Sequence, residues 1–516
     1  MARDPEPLDP VLAGLEPVEL WRQFDALRRI PRPSMQEQGV RSYLSKLAEH
    51  AGWETIVDAA GNIVLRTPGR GRGVDSPPLA IQGHMDMVCE KLGEVEHDFE
   101  RDPIRLRRTM RNVGGREREV LQAAGTTLGA DNGIGCAAAL ALALTPGLEH
   151  PPLELLFTAD EEEGMSGAFG LDPSLLTARR LLNFDAEAEG RIYLSCAGGR
   201  ELHAIWELDR DHRHPNDVAV RVSVAGLRGG HSGVDIHEAR ANAIAVLIGL
   251  LTAEEVDLRE VRLASCDGGG RSNAIARTAE AVLWCGRSRV SELARGFEAA
   301  GRRIAESVAR TDPELVVGFE ELPADGRNEI PGPISSITTR SIIEALRNQR
   351  DGVLAWSPLI PGLVETSNNL GTLQTEWETK SETDSGAGDE MRLIAMARSS
   401  KANAVEHFQE RCERSLEASG ASVEFKHGFP GWEAKLDTAL LRTAQTSYIS
   451  LFEREPKLEA IHAGLECGIL HDRVPGLEMI AFGPDIYDAH TPSESLAIDT
   501  VEPFWRLVVR LAADLI

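Results

Sequence analysis

Apolar residues recur at helical spacing over residues 17–30 and again over 35–51, which predicts two amphipathic helices at the start of the chain. The apolar run PLAIQG at 78–83 then reads as a buried strand. At 131–144, DNGIGCAAALALAL has the length of a helix, and its small residues permit close packing against a sheet. Three further strand-like runs follow: LELLFTA at 153–159, LLNFD at 181–185 and IYLSC at 192–196. Strands alternating with helices predict an α/β domain whose mixed, largely parallel sheet is flanked by helices.

From about residue 200 the pattern changes to strand-like segments with interspersed helices and long polar connections, such as 320–331 and TKSETDSGAGDE at 379–390. Past residue 430 the earlier alternation returns: EMIAFG at 478–483 leads into a polar loop containing His490, and a terminal helix begins near 496. The expected organisation is a catalytic domain formed by residues 1–199 and 431–516, interrupted by an inserted α+β lid domain at 200–430.

A chain of 516 residues exceeds the size at which one core keeps growing, so more than one domain is expected. With 42% hydrophobic and 26% charged residues it has the composition of a folded protein. Its 55 Lys and Arg against 81 Asp and Glu give a formal charge of −26, which repels phosphate backbones and anionic lipid and argues against nucleic-acid or membrane partners. The start MARDPEPLDP lacks the basic and apolar regions of a signal peptide, and no apolar stretch approaches the ~20 residues that span a bilayer. Seven scattered cysteines without CxxC spacing suit a reducing compartment. A cytoplasmic location is expected.

The polar clusters GHMD, TADEEEG and FDAEAEG each follow an apolar strand directly, and ligand sites in open α/β sheets lie beyond the carboxyl ends of the strands. His84 and Asp86 are two apart in extended chain, so the carboxylate can hold the imidazole. Taken singly, each cluster has an ordinary explanation. His84 and Asp86 could form a surface turn, Asp131 a helix N-cap, Asp160 to Glu163 a solvated loop, and Asp185 a turn. Taken together, carboxylates at the ends of successive buried strands would raise one another's pKa unless a cation were bound. His490, in GPDIYDAHTPSE, adds a second imidazole. Two histidines with three carboxylates suit zinc, and a carboxylate shared by two ions is an economical way to hold a pair.

The motifs GHMDMV, TTLGADNGIG, EEEGMSGAFGL, NFDAEAEG, CAGG, GGHSG, SNNLG, HAGLECGIL and GPDIYDAHTPSE occur in this order. In this the chain resembles the aminoacyl-histidine dipeptidases, also called cytosol non-specific dipeptidases, of the di-zinc aminoacylase and carboxypeptidase G group. The resemblance implies two Zn2+ per chain, for which Co2+ or Mn2+ could substitute. Asp131 would bridge them, with Glu162 and His490 completing one site and His84 and Asp185 the other. Asp86 would orient His84, and Glu161 would be the general base of dipeptide hydrolysis by metal-activated hydroxide. Three consecutive glutamates allow a shifted assignment, but the pattern Glu-Glu-x-Gly-Met aligns on Glu161, Glu162, Gly164 and Met165.

The resemblance further implies that His231 of GGHSG donates to the oxyanion from the lid, where its ordinary reading is a turn residue between glycines. Asn273, Arg398 and Gly464 would bind the substrate's carboxylate, with lid closure completing the site. Expected partners are small peptides of the Xaa-His type or of broader sequence, and a homodimer is compatible with the resemblance. The basic segment 107–120, RRTMRNVGGREREV, departs from the family pattern. Two competing readings are an aminoacylase-type amide hydrolase and a non-catalytic protein that keeps the fold. Retention of Glu161 and every implied ligand argues against the second.

Overall fold

The computed structural model describes residues 7–323, 330–377, 389–426 and 428–516. The expected polar connections at 320–331 and 379–390 fall in part outside these residues. The chain divides into two compact units, one comprising Met1–Ser195, Ala434–Ala460 and Leu465–Ile516, the other Cys196–Glu433 and Ile461–Gly464.

The first unit is built on an eight-stranded sheet whose central strands, in spatial order, are Leu153–Thr158, Leu79–His84, Arg180–Asn183 and Glu478–Ala481. These four run parallel, with Leu79 opposite Leu153, His84 opposite Thr158 and Gln82 opposite Asn183. Every residue of Leu79–His84 and of Leu153–Thr158 is buried, which is why these strands read as mostly apolar runs without alternation. Ile63–Thr67 pairs antiparallel with Leu153–Thr158 on one flank, so the sheet is mixed, as expected.

Helix Ala130–Leu144 is buried along all but its last residue. Its small residues are required there: a Cβ at Gly135 would lie 2.8 Å from the Phe184 carbonyl oxygen. Phe184 in turn packs edge-on to Phe482 and Phe504, with ring centroids 5.3 Å away in both cases. This packing anchors the backbone immediately before Asp185.

The basic segment 107–120 forms a hairpin, Leu106–Val113 with Arg116–Ala123, turning through Gly114 and Gly115 at φ 59° and 84°. The hairpin extends a small sheet through Ser495–Ala497 to Ile486–Tyr487, the two strands that flank the loop of His490. Arg111 reaches Asp488 at 2.7 Å and Arg118 reaches Asp485 at 2.7 Å, so the departure from the family pattern fastens the base of that loop.

The second unit is an antiparallel sheet whose path runs Val316–Glu321, Asp217–Ala225, Ala279–Gly286, Arg262–Gly269, Val364–Glu376, Glu390–Ser399, Gly198–Glu207 and Ser422–Phe425. Helices Ala243–Leu251, Val290–Val308, Ser336–Arg347 and Ala402–Glu417 accompany it. Its core gathers Leu202, Val220, Leu247, Leu283, Phe297 and Leu393. No disulfide links any of the seven cysteines. Among the described residues no helix is long and apolar enough to cross a membrane.

Candidate metal centre and substrate-binding residues

His84 ends its strand, Glu161 and Glu162 follow Leu153–Thr158, and Asp185 follows Arg180–Asn183. The three parallel strands therefore deliver their polar residues to one edge, as the rule for open α/β sheets requires. Asp131 enters from the first turn of its helix, and His490 from the loop fastened by the arginine hairpin. His84 Nε2 lies 3.2 Å from Asp131 Oδ1 and 3.3 Å from Asp185 Oδ1. The other Asp131 oxygen, Oδ2, lies 3.2 Å from His490 Nε2, which is also 3.0 Å from Glu162 Oε2. Asp131 thus turns one oxygen to each histidine. His84, Asp131 and Glu162 each offer a ligand atom, and these atoms lie within 4.8 Å of one another. His490 and Asp160 both sit at positive φ, 65° and 54°, a conformation that non-glycine residues adopt at a cost and that recurs at functional sites.

Asp86 is fully buried beneath this group. Its carboxylate accepts from the Ser34 hydroxyl at 2.7 Å and from the backbone N–H groups of Glu161 and Glu162 at 3.1 and 3.2 Å. Its Oδ1 is also 3.3 Å from His84 Nδ1. That contact falls short of a regular hydrogen bond. Burial alone would raise the Asp86 pKa, but the His84 ring, Ser34 and the Glu161 amide hold it well below the carboxylate range.

Asp131 does not act as the N-cap that its position suggests. Glu494 meets the free amides instead, its two oxygens accepting from Leu128 and Gly129 and from Ala130 and Asp131 at 2.7–3.4 Å. This leaves the Asp131 side chain available to both histidines. Asp160 is likewise structural, accepting from Ser166 Oγ at 2.5 Å.

Negative charge dominates the electrostatics. Burial and the nearby Asp131 push the Asp185 carboxyl up to about 6, and burial with Asp185, Glu466 and Glu162 lifts Glu161 well above its ordinary value. The histidine pKa values are raised as well, which for an imidazole favours the charged form. Bonds to Asp131 and Glu162 push His490 up to about 11, and His84, against the effect of its burial, is raised by Asp185, Asp131 and Asp86. A field that stabilises an imidazolium so strongly also favours a metal cation at the same place.

His231, Asn273, Arg398 and Gly464 lie in the second unit. His231 is in the short strand Gly230–His231, which pairs with Ala274–Ile275. Its Nδ1 accepts the backbone N–H groups of Gly233 and Val234 at 3.1 and 3.0 Å, so the neutral ring carries its proton on Nε2. Asn273 is exposed, and its loop is held by Asn369 of SNNLG, whose amide donates to the carbonyls of Ser272 and Ala274. Arg398 is 4% exposed, stacks at 5.9 Å on Phe429 and leaves its Nε without a partner. Among the described residues no carboxylate pairs with it, and burial lowers its pKa to about 10. Phe429 also explains Gly464, where a Cβ would lie 2.8 Å from the ring.

Sequence reasoning missed Glu494, Glu466 and His462. The first stands four residues after His490 in a quoted motif, and the other two flank Gly464 in HAGLECG, so the motifs contained them without revealing their contacts. His462 is buried and bonded at 2.7 Å to Ser367, which faces Arg398 across paired strands.

The chain is 32% identical to the cytosol non-specific dipeptidase of Escherichia coli K12 over 506 residues, which cover 98% of this chain and 99% of that protein. Among solved structures it resembles the aminoacylhistidine dipeptidase of Vibrio alginolyticus, at 32% identity and a TM-score of 0.86 over 97% of each chain. A tripeptidase of Staphylococcus aureus shares the fold at 14% identity and a TM-score of 0.53, over 97% of this chain and 99% of that one. Residues 80–514 match the model of one family, and the chain belongs to it: peptidase family M20/M25/M40, a family of peptide hydrolases.

Proposed function

We propose that the chain is a cytosolic di-zinc dipeptidase of broad specificity that accepts aminoacyl-histidine peptides among its substrates. The observation that carries this reading is the convergence of two imidazoles and two further carboxylates around Asp131, whose two oxygens face different histidines. His84 and Asp185 with Asp131 would hold one ion, and His490 and Glu162 with Asp131 the other. The residues present fit such a pair: the donors are the nitrogen and carboxylate oxygens that zinc prefers, and the buried Glu162 Oε1 has no hydrogen-bond partner. The relatives named as a cytosol non-specific dipeptidase and an aminoacylhistidine dipeptidase support the substrate class and the compartment.

When bound, a pair of divalent ions lowers the pKa of water toward neutrality and polarises the scissile carbonyl. Glu161 takes the proton of the attacking water and returns it to the departing amine. Burial, with Asp185 and Glu162 nearby, disfavours the ionised form of Glu161, so the base is ready only where cations offset these charges. Asp86 keeps the His84 ring oriented and the Glu161–Glu162 backbone fixed. Arg398 receives the substrate's carboxylate, since a buried guanidinium lacking a carboxylate partner is the group such a ligand would satisfy. His231 donates from Nε2 to the developing oxyanion.

The test is to strip the protein with a chelator, restore zinc, and assay dipeptides beside N-acetyl amino acids. Two ions per chain in the active protein and hydrolysis of dipeptides alone are expected. Preferential cleavage of the N-acetyl compounds would make it an aminoacylase-type enzyme instead. Full activity with one ion or none would overturn the binuclear assignment.

A further inference from the structure

The strands that end at the proposed metal centre are joined beneath it by buried polar side chains. Asn183 Nδ2 donates to Gln82 Oε1, Gln82 Nε2 donates to Glu466 Oε2 at 2.6 Å, and Thr158 Oγ1 donates to the same oxygen at 2.6 Å. Asn183 Oδ1 also accepts the Asp185 amide at 3.0 Å. All four side chains belong to residues no more than 1% exposed. Each of the three strand residues stands just before proposed machinery: Gln82 two before His84, Thr158 three before Glu161, and Asn183 two before Asp185.

These contacts oppose the apolar character of the strands around them. A polar chain in a parallel sheet core is tolerated where its members satisfy one another, as they do here apart from Glu466 Oε1, which has no partner, and it favours one relative placement of the groups that carry it. Apolar side chains would hold the strand ends only by packing, whereas these hydrogen bonds also fix direction and distance between them. Glu466 enters from outside the three strands, in the first turn of helix Glu466–Arg473, and its Oε2 accepts from two of them at once.

We propose that Glu466 is a positioning residue: by accepting from Gln82 and Thr158 it fixes the mutual placement of the strand ends bearing His84, Glu161–Glu162 and Asp185, and thereby sets the affinity of the centre for its metals. The inference rests on the metal-binding reading given above. Reach, rather than charge, is what the role requires. Burial pushes the Glu466 carboxyl up to about 8, so a neutral side chain of the same length is suited to the position.

The test separates reach from charge in the full-length chain. Glu466→Gln keeps an oxygen able to accept both bonds and cannot ionise, while Glu466→Asp keeps the carboxyl group and is one methylene too short. Zinc is titrated calorimetrically into chelator-stripped protein, and the visible absorption of the cobalt-loaded form reports ligand geometry. Glu466→Gln is expected to match the parent protein in affinity and spectrum. Glu466→Asp is expected to lose about 10- to 100-fold in affinity, the usual effect of disturbing groups that orient ligands, with an altered cobalt spectrum and the folded state intact by circular dichroism. Thr158→Val, which removes one donor without changing volume much, is expected to shift affinity in the same direction and decides the matter should the Asp variant not fold. Loss of affinity in the Gln variant overturns the proposal, as does retention of it in the Asp variant or, if that does not fold, in Thr158→Val. A parent protein that binds no zinc would instead defeat the metal reading itself and this inference with it.

Discussion

The Asp86 carboxylate accepts the backbone N–H of Glu161 at 3.1 Å on one oxygen and that of Glu162 at 3.2 Å on the other. The oxygen that meets Glu161 also lies 3.3 Å from His84 Nδ1. One buried acid therefore links the imidazole to the peptide segment that carries the two adjacent glutamates. Arg32 secures the acid's own backbone, donating to the carbonyls of Met85 and Asp86 at 2.9 and 2.6 Å. Neighbouring residues with different proposed duties, Glu161 as base and Glu162 as ligand, thus share a single support.

That support acts on the backbone, so replacing the Glu161 side chain should leave it undisturbed. Glu161→Gln is expected to lower kcat by about 100- to 10,000-fold, the usual range for removing a positioned proton acceptor, while two zinc ions remain bound. Steady-state kinetics with metal analysis of the same preparation check this. Loss of zinc from the variant would mean that the three consecutive glutamates are shifted by one in their roles.

The parallel sheet was legible in sequence because strands buried on both faces appear as largely apolar runs without alternation, and LAIQGH and LELLFT are such runs. The gathering of His84, Glu162 and Asp185 was legible for the same reason, since each follows a strand end. The partner of the Ala130–Leu144 amides was not. A helix N-terminus can be met by a carboxylate from anywhere in the fold, and Glu494 is distant in sequence from Asp131, so no local pattern reveals the pair. The network of Gln82, Thr158, Asn183 and Glu466 was hidden likewise, because a polar residue in a buried strand reads as an imperfection until its partners are seen. The basic segment 107–120 had no visible purpose until the hairpin placed Arg111 against Asp488.

Arg398 is the group from which a large binding effect is expected. A guanidinium 4% exposed, without a carboxylate partner among the described residues, retains its charge in a place where an anion would be strongly held. Arg398→Ala should raise KM for dipeptides, with a loss of about 2 to 5 kcal/mol in binding. Arg398→Lys should recover only part of this, because an ammonium cannot reproduce two parallel bonds to a carboxylate. Competition by free amino acids against amino acid amides offers an independent check: the parent protein should prefer the acids, and the Ala variant should not. Equal KM in parent and Ala variant would remove Arg398 from substrate recognition.

His231 should affect turnover instead. Its Nδ1 is committed to the amides of Gly233 and Val234, which leaves Nε2–H as the one donor the neutral ring can offer. Burial, then the positive charge of Arg398, lowers its pKa below the ordinary histidine value, so the ring is neutral at pH 7 and becomes charged only on acidification. A donor fixed in this way needs no reorganisation as negative charge develops on the carbonyl oxygen, and its benefit is greater in the transition state than in the bound substrate. His231→Ala is therefore expected to reduce kcat by about 100- to 1,000-fold with little change in KM. His231→Gln, whose amide can donate from a similar distance, should recover part of the loss. If both variants turned over at the parental rate, or if the loss appeared in KM alone, the oxyanion role would have to pass to another group.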